Sequence, residues 1–384
     1  MQATRRAVLA GAAGLAGAAG LASAAGLAAS GALARTVPDR YARAIVIDGL
    51  GAPDDPDGDK YPDSNVFSPR GAAQIRASGT TAWQITVSEV GNAPAGWDTT
   101  LAQIALWDAT IDANPSLLVR ARTAADIRAA KASGRAALIF GTQDTAMVGP
   151  TLDRLDVLAG LGVRVVQLTY NLRNLSGDGA LEPANAGLSK LGRATIARIE
   201  KNRQLLDLSH GGARTIAEAL AAATRPPTIS HTGCRALHDN PRNAADASLK
   251  ACADKGGVVG IYWMPFLVPN GRPSTADLIR HMAHAVDVCG EDHVGIGTDG
   301  GLGAMILDDR TRAAQKKFFD DRSAKGIAAP GEGPDIFNMV AELNSPLRFR
   351  MLSDALERAR WPGARIDKVL GGNLLRLYGD AWGG

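Results

Sequence analysis

The feature that most constrains the fold of this chain is a regular alternation of short apolar runs with segments of helical periodicity. Runs typical of buried strands lie near residues 45–48, 81–87, 136–141, 164–169, 204–208, 227–230, 257–261 and 294–297. The segments between them, such as Leu152 to Leu161 and Leu278 to Val288, carry helix-period patterns. Eight strands alternating with helices predict an α/β protein with a (β/α)8 TIM barrel. An open doubly wound sheet is the alternative, but no G-x-G-x-x-G motif follows the first strand.

The first 34 residues differ in composition from the rest of the chain. Arg5 and Arg6 precede a long uncharged stretch of Ala, Gly and Leu, and residues 32–34 form an A-x-A cleavage site. The paired arginines favour the twin-arginine export route. We therefore expect a cleaved signal peptide over residues 1–34, one barrel domain over 35–384, and a periplasmic or secreted protein with no stable membrane anchor. An uncleaved anchor is the alternative, because the stretch is long enough to span a membrane.

Composition excludes several other classes of protein. The 384-residue chain is 46% hydrophobic, which is enough to bury a large core. Its net charge of +3 falls by two without Arg5 and Arg6, so no nucleic-acid partner is indicated. Three cysteines are too few for a disulfide framework. Polar segments near residues 50–70 and 302–340 predict two long insertions, which follow strands on the side where a barrel carries its active site.

Two histidines each close a predicted strand. His210 ends the run over residues 205–210, and His231 ends the run over residues 227–231. Side chains at the carboxyl ends of neighbouring barrel strands point into one mouth, and neutral imidazole is a common zinc ligand. The pattern therefore indicates a metal site, with hydrogen-bonded core histidines as the alternative. His281 and His284, three residues apart on a predicted helix, are expected on its outer face.

Seven segments of the chain resemble the renal (membrane) dipeptidase family, which are zinc-dependent amidohydrolase-like barrels. They cover residues 161–169, 206–210, 230–237, 241–243, 256–260, 292–299 and 369–373, in the family's order and spacing. The resemblance implies that His210 and His231 ligate one metal ion. It also implies that Asp299 ligates a second ion and assists proton transfer.

The resemblance also implies three substrate-binding residues. Arg242 matches the group that binds the substrate's carboxylate, a task that suits the planar fork of a guanidinium. Tyr170 stands where the family has a substrate-contacting His, and Asn373 closes the last matching segment. The alternatives are a surface salt bridge of Arg242 with Asp239 or Asp246, and core packing for Tyr170.

The chain departs from the family at the metal ligands. Where the family's first strand ends in Asp-Gly-His-Asn-Asp, residues 48–52 read Asp-Gly-Leu-Gly-Ala, so a His and an Asp ligand are absent. Where the family has a bridging Glu after its third strand, this chain has Gln143, and Asp144 could substitute only if the strand end shifted by one residue. We therefore expect a single zinc ion on His210 and His231, with Gln143 or Asp144 and water completing its coordination. The second site, to which Asp299 belongs, is expected to be empty or weak.

These residues together predict an exported metallo-dipeptidase-like hydrolase. It would cleave a short peptide or related amide through zinc-activated water, with Asp299, His210 and His231 as catalytic residues. One alternative is a non-peptidase enzyme on the same barrel, for example in the tailoring of an exported peptide-like metabolite or siderophore. The other is a binding protein with a dead site. Because members of the family often dimerise, a homodimer is a further expectation.

Overall fold

The computed structural model describes residues 39–60, 63–91 and 96–383, so the leader expected over residues 1–34 lies outside the described residues. The strands of the described part are, in chain order, β1 (Ile47–Asp48), β2 (Gly51–Ala52), β3 (Ala82–Thr86), β4 (Leu118–Arg120), β5 (Ala136–Thr142), β6 (Val163–Gln167), β7 (Leu205–Asp207), β8 (Thr228–Thr232), β9 (Val258–Ile261), β10 (Val294–Ile296) and β11 (Gly300–Gly301).

Eight of these strands form a nearly closed parallel barrel, which confirms the predicted fold. Their order is β1-β3-β5-β6-β7-β8-β9-β10, and the backbone N–H of Gly49 donates to the carbonyl of Ile296 at 2.8 Å, which joins the two ends of the sheet. β4 pairs with the first half of β5. β6 pairs with the second half of β5, with a register shift after Phe140. The alternation of apolar runs was therefore sufficient to predict the barrel.

Helices link the strands, and several begin at side-chain caps. Thr123 and Ser274 each form a capping box with an Asp three residues later, which satisfies free N–H groups at the helix start. The α-helices are Arg40–Arg43, Pro69–Ser78, Gly96–Ala113, Ala124–Ala132, Asp153–Gly160, Lys190–Lys201, Ala213–Ala222, Asp246–Asp254, Thr275–Cys289, Asp309–Ala324, Arg348–Arg358, Gly363–Asp367 and Asn373–Trp382. Short 3-10 turns cover Gly58–Lys60, Ala146–Val148, Pro265–Leu267 and Ala341–Leu343, and Lys368–Gly372 is a π-helical turn.

Two apolar clusters hold the barrel together. The larger one packs outward-facing strand residues against the surrounding helices. The smaller one joins the first residues of several strands, such as Ile47, Ala82 and Val258, to Leu374 and Tyr378 of the last helix. That helix therefore closes the amino end of the barrel and leaves the carboxyl end for side chains that carry chemistry.

Within the described residues, both predicted insertions contain secondary structure. β2, in the first insertion, pairs in parallel with β11, which opens the second. The second insertion then forms the exposed helix Asp309–Ala324. Among the described residues, no helix is both long and apolar enough to cross a bilayer.

Candidate metal centre

His210 lies three residues beyond the end of β7, in a backbone conformation that non-glycine residues seldom adopt, with φ of 61°. Its ring is buried, and its Nδ1 lies 2.6 Å from Oδ1 of Asn171. The amide nitrogen of Asn171 donates to the carbonyl of Ile327, which identifies Oδ1 as the acceptor from His210. The proton of the neutral ring therefore sits on Nδ1, and the buried Nε2 has no hydrogen-bond partner among the described residues.

His231 lies within β8, and a different hydrogen-bond partner holds its ring in the same tautomer. Its Nδ1 lies 2.8 Å from Oγ of Ser230, and that hydroxyl donates to the buried carboxylate of Asp207. Because the Ser230 proton goes to Asp207, the oxygen of Ser230 accepts from Nδ1–H of His231. The Nε2 of His231 is also buried without a partner. Burial, and then the positive charge of Arg242, hold the pKa of both histidines well below its usual range, so both rings are neutral.

Asp299 completes the group. It follows β10 with φ of 57°, and its backbone N–H donates to the carbonyl of Leu50 at 2.7 Å. One ligand atom from each of His210, His231 and Asp299 lies within 4.8 Å of the others. Burial raises the pKa of Asp299 to about 6, and Arg242 and Arg322 oppose that rise.

The three residues fit a divalent metal ion. Two imidazole Nε2 atoms with free lone pairs and one carboxylate form a common zinc donor set. A buried ring nitrogen without a hydrogen-bond partner is costly unless something else occupies its lone pair. The convergence of two such atoms beside a carboxylate therefore supports the predicted positions of His210, His231 and Asp299.

The end of β5 contributes less than the sequence suggested. Nε2 of Gln143 donates to the Thr86 hydroxyl at 2.8 Å, and its part in metal binding stays a prediction. Asp144 is not in the His210 group, because its Oδ1 accepts from the Ala146 backbone at 2.9 Å and from the Asn174 side chain at 2.6 Å. These contacts give no support to Asp144 as a shifted-register substitute for the bridging Glu.

On the side of Asp299 toward β1, hydrogen bonds to a buried carboxylate connect the ends of β1 and β10. The carboxylate of Asp48 accepts from both the backbone N–H and the hydroxyl of Thr298, at 2.8 and 2.6 Å. Leu50 and Ala52, which stand where the family has ligands, are buried and apolar. Neither side chain offers a donor for a second ion at these two positions.

Arg242 is buried, with 4% of its surface exposed, and its Nη2 has no hydrogen-bond partner. The surface salt bridge considered as an alternative does not form, since Asp239 pairs with Arg235 and Asp246 with His284. Among the described residues Nη2 of Arg242 makes no hydrogen bond, so this buried guanidinium, near the Asp299 carboxylate, offers a free donor to a ligand.

Tyr170 is part of the site and not only of the core. Its ring stacks on that of His210, with centroids 4.1 Å apart and an angle of 24° between the planes. Its hydroxyl accepts a hydrogen bond from Nη1 of Arg322 at 3.0 Å. The position where the family has a His therefore presents a phenol beside a metal ligand.

Two sequence-based placements need correction. The side-chain amide of Asn373 donates to the carbonyls of Glu291 and Val294, at the start of β10, so Asn373 lies at the amino end of the barrel and not in the mouth. His281 does not lie on an outer face, since it is fully buried, accepts from the Cys234 backbone and contacts the Leu267 carbonyl.

The residues that support His210 and His231 gave no signal in the sequence. Asn171 neighbours Tyr170 and Ser230 neighbours His231, but no local pattern indicates the bonds they make. Arg322 and Glu332 lie in the second insertion, far along the chain from Tyr170. Only the long-range contact of that insertion with the barrel reveals them.

Comparison with known proteins settles the family. The sequence model of the membrane dipeptidases, peptidase family M19, matches residues 73–313. The chain belongs to this family. A dipeptidase of Clonostachys rogersoniana is 29% identical over 202 residues, which is 52% of each chain, and an uncharacterized dipeptidase of Schizosaccharomyces pombe is 31% identical over 66% of this chain and 55% of its own. The chain spans about half the length of the curated relatives it matches first.

Solved structures show the same fold. An amidohydrolase from Pseudomonas aeruginosa has a TM-score of 0.76 and 30% identity over 90% of this chain and 98% of its own. A metallopeptidase from Rhodobacter sphaeroides, solved with a phosphinate mimic of the dipeptide L-Ala-D-Ala, has a TM-score of 0.70 over 88% of this chain and all of its own. At 18% identity the latter supports the barrel fold alone.

Proposed function

We propose that this membrane dipeptidase family member is a hydrolase that cleaves the amide bond of a short peptide-like substrate with one zinc ion. The observation that carries the proposal is the pair of partnerless Nε2 atoms of His210 and His231 beside the Asp299 carboxylate. A bound zinc ion supplies Lewis acidity toward a carbonyl oxygen and toward water. The remaining chemistry falls to residues of the chain.

Asp299 is the proton carrier in this proposal. Its carboxylate lies within 4.8 Å of the ligand atoms of the two imidazoles, which places a general base at the metal centre. An oxygen of Asp299 takes a proton from the attacking water and passes it to the leaving amine. The neutral histidines have no proton to give at Nε2, so they act as ligands only.

Arg242 is the substrate-binding cation. Its buried guanidinium has a free N–H that a substrate carboxylate would satisfy. We expect Arg242→Met to raise KM for dipeptides about 10- to 100-fold, because a charge-assisted hydrogen bond is lost. The same change should leave KM for a dipeptide amide, which has no carboxylate, nearly unaltered.

The test of the function combines metal content with a dipeptide panel. Zinc-loaded protein should cleave at least one member of the panel, and His231→Ala should lose both zinc and activity. His284→Ala is the matched control, since this half-buried histidine pairs with Asp246 on the surface. Zinc-bound protein that cleaves no dipeptide would refute the proposal.

A second candidate is the modification of a peptide-like metabolite without net hydrolysis. The observation in its favour is Tyr170, which stands in place of the family's His and is bonded to Arg322 beyond the residues that match the family. A gene neighbourhood for metabolite biosynthesis, together with an inert dipeptide panel, would favour it over hydrolysis.

We propose that the protein is exported by the twin-arginine route and forms a homodimer. The leader with Arg5 and Arg6 supports export. A folded reporter fused to residues 1–34 should reach the periplasm, and replacing both arginines by lysine should abolish that. Light scattering of the purified protein should give twice the monomer mass, and a monomer would refute the dimer.

A further inference from the structure

Arg322 reaches the metal centre from a part of the chain that does not match the family. It lies in the helix Asp309–Ala324, whereas the family match ends at residue 313. Its side chain is only 13% exposed, and Nη1 donates to the Tyr170 hydroxyl. Arg322, which lies outside the family match, is therefore hydrogen-bonded to Tyr170, which stands where the family has a His.

Glu332 fixes the guanidinium of Arg322 in place. Nε and Nη2 of Arg322 donate to the two carboxylate oxygens of Glu332, at 2.6 and 2.7 Å, in a bidentate pair. Nη2 also donates to the carbonyl of Ile327, and the backbone N–H of Ala329 donates to Glu332. A bidentate pair this buried holds the remaining donor, Nη1, at one orientation toward Tyr170.

The bond from Arg322 constrains the Tyr170 hydroxyl. A phenol has one proton to donate, and its oxygen can also accept. Since Nη1 of Arg322 donates to this oxygen, the hydroxyl proton must point away from Arg322. Among the described residues, the bond from Arg322 is the one hydrogen bond of this hydroxyl, although the Asp299 and Glu332 carboxylates are near enough to act on it. The stack of Tyr170 on His210 keeps the phenol beside the ligand group.

We propose that Arg322 is a positioning residue that turns the Tyr170 hydroxyl into a hydrogen-bond donor for the substrate. Tyr170 would donate to the carbonyl oxygen of the scissile amide as negative charge develops there, a task for which a preoriented donor is well suited. This inference rests on the proposed hydrolysis, and it assigns the role of oxyanion donor to residues of this chain.

The experiment is a double-mutant cycle between Tyr170 and the Arg322–Glu332 pair. Tyr170→Phe removes the hydroxyl and keeps the ring on His210. The pair is changed together, as Arg322→Met with Glu332→Met, so that no charge is left buried alone. Arg312→Met, an exposed arginine on the same helix, is the matched control. Three quantities are measured: kcat and KM on the best dipeptide, affinity for an L-Ala-D-Ala phosphinate, and zinc affinity of the metal-free protein.

Both changes should lower kcat about 100-fold with little change in KM, because the hydrogen bond forms only in the transition state. Both should weaken phosphinate binding at least 10-fold. Combining them should cost no more than Tyr170→Phe alone, since Arg322 acts through that hydroxyl. Arg322→Lys should restore part of kcat, and zinc affinity should stay within threefold in every variant.

Each other outcome has a distinct meaning. Losses that add in the combined variant, or an unaltered kcat in the Arg322→Met/Glu332→Met protein, would overturn the inference and leave the hydrolase intact. A fall in zinc affinity would show that Arg322 serves the metal ligands instead. Wild-type protein that neither cleaves dipeptides nor binds the phosphinate would refute the proposed function and this inference with it.

Discussion

At the scale of single residues, the metal centre depends on the tautomers of two histidines. Asn171 accepts from Nδ1–H of His210, and Ser230 accepts from Nδ1–H of His231. Each bond leaves a lone pair on Nε2, and each holds its ring at one angle. Such partners are commonly as important to metal affinity as the ligands themselves.

Asn171→Ala should therefore weaken zinc binding about 10- to 100-fold, because His210 would lose the acceptor that fixes its tautomer and orientation. Zinc affinity is measured by competition with a chelator of known strength. Asn202→Ala is the control, since Asn202 bonds to Asp156 on the surface. An unchanged zinc affinity in Asn171→Ala would show that the bond to Nδ1 does not support the ligand.

The residues of the site were predictable from the sequence only where a strand places them. His210, His231 and Asp299 each follow an apolar run, and the barrel rule brings such strand ends together. Arg322 gave no signal, because its role arises from a contact 152 positions along the chain. The position of Asn373 was predicted wrongly, because a sequence match to the family does not show at which end of the barrel the matching segment packs.

At the scale of elements, Asp48 joins the ends of β1 and β10 where the barrel closes. It is buried, and its carboxylate accepts from Thr298 and from the Leu50 backbone. Burial raises its pKa from the ordinary 3.8 to about 7. The folded protein therefore binds this proton more tightly than the unfolded chain, and Asp48 contributes less stability as pH rises from about 4 to about 7.

Asp48→Asn removes this titration and keeps an amide oxygen as acceptor. The free energy of unfolding of the variant, relative to that of wild type, should thus increase from pH 5 to pH 8. The shift should be on the order of 2 kcal/mol. Urea unfolding of the metal-free proteins at the two pH values measures it. A difference that does not vary with pH would contradict the raised pKa.

Asn373 ties the last helix to the start of β10 through two buried bonds to backbone carbonyls. Asn373→Ala should destabilise the fold by about 2 kcal/mol, because both carbonyls lose their donor. Zinc affinity and KM should not change, since the residue lies at the opposite end of the barrel. A raised KM with unchanged stability would show instead that Asn373 contributes to substrate binding.

At the scale of the whole molecule, the alternation of strands and helices specified the barrel, and all eight predicted runs contain or overlap a barrel strand. β4, β2 and β11 were not predicted, since none of them lies in an apolar run of four or more residues. β2 and β11 matter here, because their pairing brings the backbone of residues 51–52 beside the segment that follows Asp299.

We propose that the barrel has one metal site, beside a closed seam between β1 and β10. His210, His231 and Asp299 converge at the carboxyl end, while Leu50 and Ala52 bring no donor. With donors on one side only, a single ion must be sufficient for the proposed chemistry.

Metal counting tests that claim most directly. Protein loaded with excess zinc and freed of unbound metal should hold one zinc ion per chain, as measured by elemental mass spectrometry. The combined His210→Ala and His231→Ala variant should hold none. Two ions per wild-type chain, or one ion retained in the variant, would contradict the single site built on these histidines.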